Sequence, residues 1–280
     1  MKYSSILFLI LSMTITSCQK NDDPGSPSSR HRISFIYSAK YTQLFDYDPD
    51  GKIKKWRHVE NPASQTIAAA SYIYSADEST IQIDAEELHG DQRWIFDEVM
   101  SLDIDGIAKS AEGEARLYRV KDNSLLMKKR YSVNFSYNSL KQLNDIQIEE
   151  KRIIDNGQDP YPLKWNIDFE WNDENLIGYK EYTNPASPLT VYEYTYYDDV
   201  ETEYAPIVQY PVLRAYYTPL SYQNHFGVLS KCLVKKATVG NNYTTHYSYN
   251  ISTGPSNSIV EEYFEKTPND DETKHTIGWE

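Results

Sequence analysis

The sequence predicts an all-β protein, a large antiparallel meander of hairpins forming a strongly curved sheet or a barrel-like domain. Three observations carry that prediction. Tyrosine fills 25 of 280 positions, with 8 Phe and 5 Trp beside it, a composition that suits pleated, half-buried strands. Apolar and aromatic residues alternate with period two, whereas runs with a 3.6-residue period are hard to find. A hairpin unit also recurs along the chain.

The first element stands outside that sheet. "MKYSSILFLILSMTITSC" has Lys2, an apolar run over 6–15 and small residues before Cys18, the pattern of a secretion signal over residues 1–17. The run is shorter than the roughly 20 apolar residues of a spanning helix, and nothing later in the chain is a better candidate. "ITSC" resembles the lipobox of bacterial lipoproteins, in which the cysteine is acylated and becomes the first mature residue. Cys18 is therefore the expected lipidation site and the link to the membrane; several acyl chains on one residue anchor durably, at about 0.8 kcal/mol per buried methylene. Residues 18–32, beginning "CQKNDDPGSPSSR", read as a flexible tether rich in Pro, Gly and Ser. "QKNDD" resembles the short acidic export signal that sends Bacteroidetes lipoproteins to the outer face of the outer membrane.

Residues 33–280 are expected to form a single antiparallel β domain, with about fourteen to sixteen strands and short turns. "RISFIYSA" suggests Ile33, Phe35 and Tyr37 on one face. "WNIDFEW" does the same for Trp165, Ile167, Phe169 and Trp171, and "VYEYTYY" for Tyr192, Tyr194 and Tyr196. The repeat unit is clearest in "FDYDPDGKI" and "FEWNDENLI", looser in "FSYNSLKQL", and only half kept in "YIYSADEST" and "YSYNISTG". Each reads as an aromatic strand, a turn, and a return strand. Gly51 and Asn175 fall where a type I turn is followed by a left-handed residue. The stretch 204–227, with prolines at 206, 211 and 219, breaks the alternation. It reads as an irregular crossover with a short helix near "LRAYYTPL", serving either as a lip over a cavity or as a plug in the end of the curved sheet.

Composition and motifs exclude several function classes. A formal net charge of -13 leaves no basic surplus to displace counterions from phosphates, so no nucleic acid is expected. The basic clusters "KIKKWR" and "KKR" read as solvated strand faces. "FDYDPDGKIKKW" offers Asp46, Asp48, Asp50, Gly51 and Ile53 in the spacing of a calcium loop, but Arg57 occupies the place of the bidentate Glu and the flanks are strand-like. It reads as a hairpin turn, and no metal or cofactor is called for. The histidines His31, His58, His89, His225, His246 and His275 lack zinc-helix spacing. No nucleophile elbow or phosphate-binding glycine loop is present, so no catalytic residue is assigned and no enzyme is expected. Cys232, the one cysteine besides Cys18, reads as a small buried hydrophobe.

These features together resemble a family of Bacteroidetes lipoproteins of unknown function, described as having a porin-like fold of meandering strands in a soluble protein. The matching elements are the lipobox, the two clearest hairpins, and "LSYQNHFGVLSKCLVKKATVGNNYTTHYSYN", where a loop leads through Gly227, Ser230 and Lys231 to Tyr247 and Tyr249. The resemblance implies a fold and an outer-membrane location; it supplies no ligand-binding residues. Two functional readings remain: a surface binding module for a glycan, a peptide or an outer-membrane protein partner, or a carrier or structural lipoprotein that encloses an apolar ligand or supports an assembly. Trp94 and Trp279 are the aromatics least tied to the repeat, hence the ones whose exposure matters most.

Overall fold

The protein is represented by a computed structural model that describes residues 32–154, 157–158, 162–172, 174–183, 190–201, 214–228, 230–240, 243–253 and 258–279. Residues 1–31, read as signal and tether, and the first part of the crossover, 202–213, lie outside the described residues. The strands are β1 (Ile33–Ser38), β2 (Tyr41–Tyr47), β3 (Ile53–Glu60), β4 (Gln65–Tyr74), β5 (Thr80–His89), β6 (Gln92–Leu102), β7 (Ala108–Arg119), β8 (Leu125–Tyr137) and β9 (Leu143–Ile154). A two-residue strand, β10 (Gly157–Gln158), adds to β9. There follow β11 (Leu163–Asn172), β12 (Asn175–Tyr182), β13 (Thr190–Glu201), β14 (Cys232–Val239), β15 (Tyr243–Thr253), β16 (Ser258–Lys266) and β17 (Thr273–Trp279). Apart from β10, each strand pairs antiparallel with the strands before and after it, β9 pairs with β11, and β1 pairs with β17. The sheet is thus a closed barrel of sixteen long strands, and closure leaves no long strand with an open edge.

One device repeats round this ring. Seven strands leave a buried aliphatic residue, carry two residues outward, and return inward: Ile33 to Ile36, Ile53 to Trp56, Ala108 to Ala111, Leu143 to Ile146, Leu176 to Tyr179, Val234 to Ala237 and Val260 to Tyr263. At each place the register slips by one residue, so the inserted position is a β-bulge that bends the strand. The bulge corrects the simple alternation read from "RISFIYSA". Ile33 and Ile36 face in, while Phe35 and Tyr37 face out at 37% and 50% exposure.

The aromatic residues of the hairpins serve the bulges. Tyr47 donates to the carbonyl of Ile33 (2.9 Å), Tyr137 to Ala108 (2.8 Å), Trp171 to Leu143 (2.7 Å), Tyr249 to Val234 (2.6 Å) and Trp279 to Val260 (3.0 Å); Tyr196 donates to Leu176. Every acceptor is the aliphatic residue that precedes a bulge on the neighbouring strand. Four of the tyrosines are used in this way, each carrying an aromatic body for the interior and a polar tip for the neighbour's carbonyl. Trp279, read from sequence as outside the repeat, is a full member of it. Replacing Tyr137 by Phe should cost about 1 kcal/mol, the net worth of one such bond. Combining it with Tyr249→Phe, on β15 across the ring, should give an additive loss in chemical denaturation.

The turns at this end share one design. In 48–52, 103–107 and 138–142 the first residue accepts N–H groups on both its backbone and its side-chain oxygen, two at Asp48 and three each at Asp103 and Asn138, while Gly51, Gly106 and Lys141 take φ of +85°, +76° and +60°. Asn175 differs from expectation: it lies within β12, and its side chain accepts the N–H of Cys232 at 2.9 Å.

A sixteen-stranded barrel is wide enough for an aqueous channel. Here the bore is filled. Inward residues from all around the ring, including Trp56, Ile83, Phe96, Phe135, Phe169 and Tyr263, form one buried core, and the end of the crossover enters it. Ala215–Tyr217 makes a 3₁₀ turn and Thr218–Ser221 one turn of helix, with Pro219 in its first turn. Tyr216, Tyr217, Leu220 and Phe226 are all at most 2% exposed. Of the two readings of the crossover, the described part is a plug.

Candidate functional site

The plug is held by polar contacts that the hydrophobic pattern does not announce. Glu98 points inward from β6 and is 1% exposed. Its carboxylate accepts from Tyr217 (2.6 Å), Tyr131 (2.9 Å) and Tyr216 (3.2 Å), and Tyr72 donates to the Tyr216 carbonyl at 2.6 Å. Burial pushes the Glu98 carboxyl upward; the Tyr217 hydroxyl, the Arg214 guanidinium and the other hydroxyls pull the other way without cancelling it. Arg214 stacks 4.0 Å over the Tyr131 ring and lies 3.6 Å from Glu150. Glu150 also takes Lys129 at 2.8 Å, and the Lys129 ammonium sits 5.3 Å from the Trp94 ring. So Lys129, read from "KKR" as part of a solvated face, points inward between outward Lys128 and Arg130.

Nearer the chain's turns, Gln223 accepts from the Ile53 N–H and the Tyr74 hydroxyl, both at 3.0 Å, and donates to the Gly51 carbonyl at 2.9 Å. His225 meets the Gly106 carbonyl at 2.7 Å, and Val228 donates to the Lys141 carbonyl at 2.9 Å. This closes one end of the barrel, where the turns 48–52, 103–107 and 138–142 lie.

The opposite end is different. Leu163 and Tyr243 face inward by register, opposite Glu150 and Val239, and yet are 54% and 44% exposed. Trp94, Trp165 and Tyr192 line the same end half-buried, Trp94 stacked on Phe96 at 6.0 Å. An aromatic and aliphatic rim therefore surrounds a charged floor of Lys129, Glu150 and Arg214. Flat apolar faces beside fixed charges can stack on a planar or sugar-like ligand and orient it. A second inward cluster on β2, β3, β16 and β17 brings Tyr41 edge-on to His58 (4.7 Å) and stacks Tyr263 on His275 (4.1 Å). Burial lowers the pKa of His58 and pushes Tyr41 up to about 12.

The other sequence candidates fall as follows. Cys18 and His31 lie outside the described residues. Asp48 caps its own turn through the Lys52 N–H at 2.8 Å, while Asp46 faces out opposite Lys55, so these two acids serve the hairpin separately. Among the described residues no cluster of His, Cys, Asp or Glu has the geometry of a metal site. Cys232 is buried and free. The charged floor was missed because its members lie on three separated segments, each with its own local explanation.

The outer wall is polar. Glu114 takes Lys128 at 2.8 Å, Glu149 takes Lys151 and Lys164 at 2.8 Å each, and Arg116 pairs with Asp97. A barrel that crosses a bilayer presents an apolar band to lipid; on β6–β9 and β11 this one presents ion pairs. No helix among the described residues is long and apolar enough to cross a membrane.

The closed sixteen-strand antiparallel architecture defines a porin-like barrel fold. One solved structure bears on the fold. The chain is similar to a solved porin-like protein from Bacteroides uniformis ATCC 8492, at 13% identity and TM-score 0.51, over 89% of this chain and 96% of that one. A solved porin-like protein from Bacteroides vulgatus ATCC 8482 matches at 11% identity and TM-score 0.38, over 89% and 98%. No family model and no curated protein matches the chain.

Proposed function

We propose that this is a lipid-anchored cell-envelope protein, held through Cys18 at the outer membrane and facing the cell exterior, that acts as a non-catalytic binding module. The observation that carries the reading is the rim of inward yet exposed Leu163 and Tyr243 beside Trp94 and Trp165, at the end opposite the closing contacts of Gln223, His225 and Val228. The charged floor beneath it suits a polar ligand with flat faces, such as a glycan, or an outer-membrane protein loop. The carrier reading needs an enclosed apolar cavity, and it is less favoured because the described inward side chains pack into one core.

Two measurements test this. Acyl labelling in the source cell should mark the wild type and spare Cys18→Ala; an unlabelled wild type rejects the anchor. The chain from Cys18 onward, on a glycan array, should retain a glycan class, and Trp94→Ala or Trp165→Ala should weaken that binding by roughly tenfold or more, the loss of one stacked ring. No glycan bound, with an outer-membrane protein recovered by pull-down, would move the function to assembly.

A further inference from the structure

The plugged end is also the end from which the chain departs toward Cys18. Ile33 opens β1 there, bonded to Tyr47, and Arg32 lies 5.7 Å from the Tyr47 ring and against Gly51. On the same end, two hairpin tips and the end of the plug carry exposed apolar side chains. Ile104 is fully exposed, Leu140 is 61% exposed and Val228 46%. The three belong to one patch: Lys141 and Asp105, which follow Leu140 and Ile104, pair at 3.0 Å, and the Val228 N–H bonds the Lys141 carbonyl.

We infer that the plugged end rests on the lipid surface, with Ile104, Leu140 and Val228 seated in its headgroup region, and that the open rim therefore points away from the membrane. The inference rests on the anchor reading above. The tether alone does not decide the orientation: fifteen residues from Cys18 to Ile33 can extend about 50 Å, more than the roughly 40 Å length of a twelve-residue strand such as β7. The tips and the exit point together do. Side chains at hairpin tips reach lipid without disturbing the charged wall, and an exit on the same end lets the tether stay short and slack. Docking by the opposite end, where Val120 and Leu125 are exposed, would stretch the tether along the wall and cover the rim.

Hydrogen exchange tests this on the chain from Cys18 onward, coupled through that thiol to a maleimide lipid in phosphatidylethanolamine and phosphatidylglycerol vesicles. Cys232 is buried and does not compete. Segments 103–107, 138–142 and 225–228 should exchange at least about fivefold more slowly on the vesicle than in solution, with 120–124 and 163–165 unchanged. The double variant Ile104→Asp with Leu140→Asp should lose that protection while remaining folded and tethered. Protection at 120–124 and 163–165 instead, or at neither end, overturns the orientation. Because the tether is supplied chemically, an absence of acyl label on Cys18 in cells would reject the anchor while leaving this result readable.

Discussion

Glu98→Ala should lower the melting temperature by about 10 °C, corresponding to about 3–5 kcal/mol in a domain of this size. The change leaves the hydroxyls of Tyr131, Tyr216 and Tyr217 without their acceptor and removes the buried carboxylate near Arg214. Unsatisfied donors in a dry interior carry their full desolvation cost. Glu98→Gln separates shape from charge, because it keeps the volume and one acceptor oxygen. Burial raises the Glu98 pKa above its unfolded value, so the folded state holds the proton more tightly. The contribution of this group is therefore greatest below the ordinary carboxylate range and is lost as pH rises through the folded pKa. Denaturation across pH should show wild type losing stability relative to Glu98→Gln with rising pH. Parallel pH profiles, or a gap widening toward acid, would show that the carboxyl is not perturbed in this way.

Gly227→Ala should be of similar size and act on the other end of the plug. Gly227 has φ +80°, and a Cβ there would lie 2.1 Å from the Lys141 carbonyl and 3.1 Å from the Tyr137 ring. A left-handed conformation costs a non-glycine residue about 1–3 kcal/mol, and the backbone clash adds to it. The bridge between Gly227 and Gln142 should open. Thermal unfolding should fall by about 10 °C, and amides of Ala108 and Val228, which bond across this junction, should lose exchange protection. Retained protection there would mean that the plug tolerates a shift of the turn.

The sequence and the structure meet most closely in the hairpins. "FDYDPDGKI" specified a turn and its left-handed Gly51 because local chemistry alone sets them. The barrel's closure was less legible: pairing of β1 with β17 joins residues nearly the whole chain apart, and period-two alternation is the same in an open and a closed sheet. The bulges had a written signal that simple alternation hides. Where a buried aliphatic residue is followed by two polar ones and another apolar one, as in "IKKW", "LNDI" and "VEEY", the break in parity is the bulge itself. Asn175 was misplaced because Asn tolerates left-handed geometry but also serves as a side-chain acceptor, and only the approach of Cys232 decides between the two. The rim and floor at the open end were invisible, since Trp94, Lys129, Glu150 and Leu163 share a location only after four strands have aligned.

The seam between β1 and β17 has a consequence for how the molecule comes into being. The strand that completes the ring is the last of its strands to emerge during synthesis, so Ile36 and its neighbours must wait for Ile277 before either edge is covered. Until then two raw edges are available to any other chain, and non-local closure of this kind is slow. The decisive pairing of this barrel therefore forms only after the whole ring has been synthesised, and the seam is where an unfinished chain is exposed to mispairing.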